Sequence, residues 1–113
     1  MPGSRLFAPT GLTIALAVTA VSTASPVQAF STPGEALTHG YRISNAGAGS
    51  VFLAFALSAG AAVATIPVAG TPGSGMYIEG DGEAVFALPH DCYFAAVTPS
   101  GTATLYITPG VLL

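Results

Sequence analysis

Lysine and tryptophan are absent from this chain of 113 residues, cysteine occurs once, and only 6% of its residues are charged. Arg5 and Arg42 are the only permanent cations, set against five carboxylates. Two guanidinium groups cannot neutralise the run of phosphates that drives non-specific nucleic-acid affinity, so no nucleic-acid partner is expected. Cys92 has no second cysteine to join, which excludes a disulfide framework within the chain. A free Cys of this kind is ordinarily a small buried apolar group. An average soluble domain carries about a quarter charged residues, so something other than charge must keep this chain in solution.

Several motifs are also missing. The sequence has no Walker loop, no dinucleotide fingerprint after a strand and no Gly-x-Ser-x-Gly elbow. Catalysis and cofactor binding are therefore not expected.

Fourteen Gly and nine Pro are spread through a sequence rich in Val, Thr, Ser and Ala. Such a composition disfavours long helices and favours short strands joined by tight turns. The length suits one domain spanning residues 1–113 around one core.

The stretch "LTIALAVTAVSTASPVQAF", Leu12 to Phe30, has two readings. Arg5 ahead of an apolar run, with Val27 and Ala29 at small-residue positions before Phe30, fits a signal peptide over 1–29. Thr13 and Thr19 interrupt that run, however, and Val18, Ala20, Val27 and Ala29 suit extended chain with a turn around Ser25-Pro26. Strands or an arm over 1–30 are the expectation, with the signal peptide as the alternative.

From Tyr41 the strand signal strengthens. "YRIS" leads through the turn "NAGAG" into "VFLAFAL", whose two faces are both apolar: Val51, Leu53, Phe55 and Leu57 on one, Phe52, Ala54 and Ala56 on the other. It is either a central strand or a strand whose outer face meets a partner. Residues 51–68 carry no charge and approach the length of a membrane span. Ser58, Gly60, Thr65 and Pro67 interrupt them and no cation flanks them, so a strand, a turn at "SAG" and a second strand fit better than a membrane helix.

"GMYIEGDGEAVFALP" has the form of a hairpin turning at Asp81-Gly82, with Ala84, Phe86 and Leu88 on one face. In the last segment a strand through Val97 and a turn at 99–101 precede Thr102 to Thr108. Ala103, Leu105 and Ile107 face inward there, while Thr102, Thr104, Tyr106 and Thr108 make a neutral hydroxyl-bearing surface. Seven or eight such strands predict an all-β, small two-layer β-sandwich, jelly-roll-like or immunoglobulin-like.

Three groupings could carry chemistry. Glu79, Asp81 and Glu83 alternate in a way that could gather oxygen ligands for calcium, but without the spacing of an EF-hand loop; a solvated acidic turn is the plainer reading. His90, Asp91 and Cys92 are adjacent, and neighbours on a strand point to opposite faces, which denies them the geometry of a nucleophile and its base. His39, in "THGY", has no second ligand at zinc spacing and reads as a loop residue.

At "YRISNAGAGSVFLAF" and "YFAAVTPSGTATLYITPG" the chain resembles the small structural proteins of tailed bacteriophages that decorate or cement the capsid. The likeness covers roughly Tyr41 to Gly110, and the "VLL" ending departs from it. It implies a jelly-roll-like sandwich without enzymatic activity or cofactor, a homo-oligomer clasping the major capsid protein on the virion exterior. It also implies that the opening stretch is strand.

A virion decoration or cement protein is thus the first functional expectation, with a tail- or fibre-associated role as its nearest variant. A secreted bacterial β-sandwich binding module is the second and a small membrane protein the third. The residues expected at a contact are Val51, Phe52, Leu53 and Phe55, together with Val111, Leu112 and Leu113, their alternative role being burial within the monomer.

Overall fold

The structure, a computed structural model, describes residues 7–23, 26–29, 38–89 and 91–112. Nine strands lie within them: β1 (Phe7–Pro9), β2 (Ile14–Val18), β3 (Val27–Gln28), β4 (Thr38–Asn45), β5 (Val51–Ala56), β6 (Met76–Ile78), β7 (Glu83–Ala87), β8 (Tyr93–Val97) and β9 (Ala103–Leu112). The single helical element among the described residues is a 3-10 turn at Ala59–Ala61. No helix among the described residues is long and apolar enough to cross a membrane.

One sheet runs β1-β9-β4-β7, with β2 also on β9, and the other runs β3-β8-β5-β6. β1 and β2 occupy successive lengths of the same edge of the long β9. Counted as one strand, they complete a nested antiparallel set in which β1/β2 pairs β9, β3 pairs β8, β4 pairs β7 and β5 pairs β6. A long hairpin rolled up in this way is a jelly roll, the two-layer sandwich that the period-two segments predict.

The core lies between the layers. Leu16, Val18, Tyr41, Ile43, Val51, Leu53, Phe94, Leu105 and Ile107 are all essentially inaccessible to water. The apolar run after Leu12 therefore supplies a strand with two core side chains, and Ala29, after β3, is fully buried as well. Ser25 lies outside the described residues, so the turn expected there is not described. The expected faces of β9 are observed: Ala103, Leu105 and Ile107 point inward, while Thr104, Tyr106 and Thr108 line the outside, where the Thr108 hydroxyl meets that of Thr13 at 2.7 Å.

Four local expectations are corrected. Residues 76–88 do not form a hairpin, because β6 belongs to one sheet and β7 to the other. The turn itself forms: Gly82 N–H donates to Glu79 O at 3.1 Å, and Asp81 alone of the Asp-Gly pair has a positive φ, 55°. Alternating side chains and a tight turn look the same whether the chain reverses beside itself or crosses to the facing layer. Second, "SAG" makes the 3-10 turn and no second strand follows; after it come loop and one isolated bridge, Val68 to Thr71. Third, His39 stands in β4 opposite Val111 and not in a loop. Fourth, β9 runs on to Leu112, past the Thr108 at which the last strand was expected to end.

Candidate functional site

The expected contact residues separate once their faces are known. Val51 and Leu53 point between the sheets and are fully buried. Val111 and Leu112 are buried in β9, where Leu112 is registered opposite both Phe7 and Thr38. Leu113 lies outside the described residues. Phe52 is half-buried on the outer face of its sheet, and Phe55 is exposed at the end of β5.

What covers the outer face of β5 is the chain's own loop, residues 57–75. Ala54 and Val97 on the sheet and Ala64 on the loop form a second small core, against which Phe52 and Ile66 pack. Polar contacts fix the loop in place: Ala64 N–H donates to Ser22 Oγ at 3.0 Å, and Ser74 Oγ donates to Val63 O at 2.6 Å. Thr65 and Ser74 bond reciprocally, each hydroxyl accepting from the other's backbone N–H. The approach is close enough that a Cβ on Gly75 would sit 2.5 Å from Phe52 Cβ. Small residues are therefore required underneath, so Ala62 and Ala64 are buried while Val63 between them is exposed.

Larger apolar side chains are left facing water on this layer. Leu57 is 70% exposed, Val68 62% and Tyr77 61%, with Phe55 and Val63 also exposed. The Tyr77 ring stands edge-on to Phe52 at 5.6 Å between centroids. Sequence reasoning named Phe55 as a contact but missed Leu57, Val63, Val68 and Tyr77. For the first three the only signal was a loop too apolar for its exposure, which is visible only when the loop is known to lie on the sheet. A contiguous exposed apolar patch is where a soluble protein commonly meets another macromolecule, whereas apolar residues exposed singly are ordinary.

The charged groupings are dispersed. Glu79 and Asp81 are exposed at the β6–β7 turn, and Glu83 pairs with Arg42 on the neighbouring strand. Among the described residues no group of three His, Cys, Asp or Glu side chains is placed to hold a metal ion. His90 lies outside the described residues, and Asp91 has a positive φ of 53°.

Cys92 is buried, with its thiol donating to Pro89 O at 3.0 Å. The same carbonyl accepts the Tyr41 hydroxyl at 2.6 Å, and that hydroxyl accepts Cys92 N–H at 3.1 Å. Burial pushes the Tyr41 hydroxyl up to about 12 and raises the Cys92 thiol above its ordinary value. A thiol held protonated is a poor nucleophile; this knot anchors β4 to the entrance of β8.

A second polar knot joins two turns at one end of the sandwich. Asn45 Nδ2 donates to Gly49 O at 2.9 Å and to Glu79 O at 3.2 Å, while its Oδ1 accepts Gly47 N–H at 2.9 Å. Asp81 N–H donates to Gly47 O at 2.8 Å. At Gly80 any Cβ would overlap the Ala48 carbonyl.

Comparisons with protein-family models, with curated proteins and with solved structures return no match to this chain.

Proposed function

We propose that this chain is a structural protein of a tailed-bacteriophage virion, a decoration or cement protein that binds the outside of the capsid and bridges major capsid subunits. The observation that carries the reading is the exposed apolar surface of Leu57, Val63 and Val68 on a loop fixed to its sheet, together with Tyr77 on β6. A surface held rigid before contact loses little conformational entropy on binding. The resemblance over Tyr41 to Gly110 supports the same reading, and the jelly roll is compatible with it, although a fold by itself does not assign a function.

With so little charge, attachment would rest on apolar packing and backbone hydrogen bonds, and salt would screen almost none of it. The test is to measure the chain in purified virions and its retention after washing in high salt. A fixed ratio to the major capsid protein that survives the wash is the expected result. Recovery with tails alone would move the role to the tail, and absence from particles would end the reading. Tyr77→Asp and Val68→Asp should weaken capsid binding while leaving the fold intact, because both side chains already face water.

A further inference from the structure

The four sheet edges are unequal. The β1/β2 edge carries Pro9 and is interrupted between Pro9 and Ile14, β3 has two residues, and β6 has three. β3 and β6 are too short to template a partner strand, and the β1/β2 edge is broken along its length, the usual protections of a natural sheet. β7 matches the five residues of β2 and, unlike the β1/β2 edge, is one unbroken strand, "EAVFA", with no proline and no cation.

The register shows which of its backbone groups are unused. Asn45 N–H donates to Gly82 O at 2.8 Å, and Ile43 and Tyr41 stand opposite Ala84 and Phe86. Antiparallel pairs alternate, so Gly82, Ala84 and Phe86 bond to β4 while Glu83, Val85 and Ala87 direct N–H and C=O away from it. No backbone hydrogen bond outside the strand ladders reaches those three residues among the described residues. Val85, at the centre, is 40% exposed. On the inner face Phe86 and Leu88 pack against the core yet remain half-exposed at this open side of the sandwich.

We infer that β7 is a self-pairing edge, at which a second copy of this chain adds its own β7 antiparallel across a two-fold axis. Centred on Val85, the pairing sets Val85 against the second copy's Val85 and Glu83 against the second copy's Ala87. No like charges face each other, and each Glu83 keeps its Arg42 partner. The edge-directed groups exchange about six backbone hydrogen bonds. Ala84 lies against the second copy's Phe86, which covers the half-exposed aromatic ring. The two sheets become one continuous sheet, by the same strand addition that recruits extended peptides to exposed edges. A second copy is favoured over an unrelated strand because the edge is complementary to itself in both charge and side-chain size.

An interface of one short strand is small, so association should depend on concentration, with dimer forming in the range of about 10–100 µM. Sedimentation of the full chain should show 11.1 kDa when dilute and twice that mass when concentrated. Amide exchange should show protection at Glu83, Val85 and Ala87 that rises with concentration. Val85→Pro removes only an outward N–H, leaving the β4 ladder whole, and should abolish the dimer with an unchanged far-ultraviolet spectrum. Val85→Lys, which sets two cations at the axis, is the second variant should the proline substitution fail to fold.

A wild-type chain still monomeric at about 1 mM, or a dimer that persists in a folded Val85→Lys protein, overturns the pairing. This inference does not rest on the virion reading. A monomer that decorates capsids defeats only the pairing, and a dimer missing from virions defeats only the virion reading.

Discussion

Tyr41→Phe removes one oxygen from the core and leaves the ring in place, edge-on to Phe94 at 5.1 Å. Two hydrogen bonds disappear with it, one to Pro89 O at 2.6 Å and one from Cys92 N–H at 3.1 Å. Pro89 O keeps the Cys92 thiol as a donor, so the larger loss is the Cys92 N–H, left buried without an acceptor. Such an orphan costs about 1–3 kcal/mol, and for a domain of this size each kcal/mol lowers the melting temperature by roughly 4 °C. Calorimetry at pH 7 should therefore find a fall of about 4–12 °C.

The same substitution has a pH signature. In the folded chain the hydroxyl holds its proton to about 12, against 10.0 for an unperturbed tyrosine. Between those values the unfolded chain binds fewer protons than the folded one, so stability falls as pH rises through the window and is unaffected below it. The full gap corresponds to about 3 kcal/mol, at 1.36 kcal/mol for each pH unit. Urea titrations from pH 8 to 11.5 should show this decline in the wild type. Tyr41→Phe should show less of it, keeping the part due to the Cys92 thiol, which also rises on burial. A variant within about 0.5 kcal/mol of wild type at pH 7, or one with the wild-type alkaline slope, would refute the assigned role of the hydroxyl.

Other consequences are open to measurement. Cys92 should resist thiol-reactive disulfides in the native protein and react fully in denaturant; rapid native labelling would contradict its burial. Gly80→Ala should be among the most damaging small substitutions, costing upwards of about 3 kcal/mol in chemical denaturation because its methyl overlaps the Ala48 carbonyl. Leu16→Ala should cost about 2–5 kcal/mol, and an unchanged midpoint would mean that β2 does not belong to the core. Phe52→Asp should destabilise the chain by detaching the 57–75 loop, detectable as faster proteolysis within that loop, because Phe52 packs beneath it.

Much of the architecture was legible in the order of residues. Alternation in "YRISN" and "ATLYI" fixed which side chains enter the core, since the side-chain period of a strand is two whatever it pairs with. The near absence of charge left little for ion pairing, and among the described residues the pair formed is Arg42 with Glu83. Asp81 and Gly101 marked turns through the backbone conformations they adopt. The opening run looked equally like a signal and like strand because both need apolar residues of modest size, and only its seat against β9 places Leu16 and Val18 in the core.

Tertiary structure decided the rest. Whether β6 and β7 pair with each other or with strands far away in sequence depends on which layer the chain enters after Asp81, and a local turn signal holds no information about layers. The two-sided apolar strand β5 raised the question of what lies outside it. The answer, the chain's own loop, depends on Ala64 and Gly75 being small enough to let the loop lie flat. With Val51 and Leu53 turned towards the facing sheet and the outer face covered by the loop, the exposed apolar residues became Leu57, Val68 and Tyr77, because burial belongs to a surface and a surface exists only once the layers have packed.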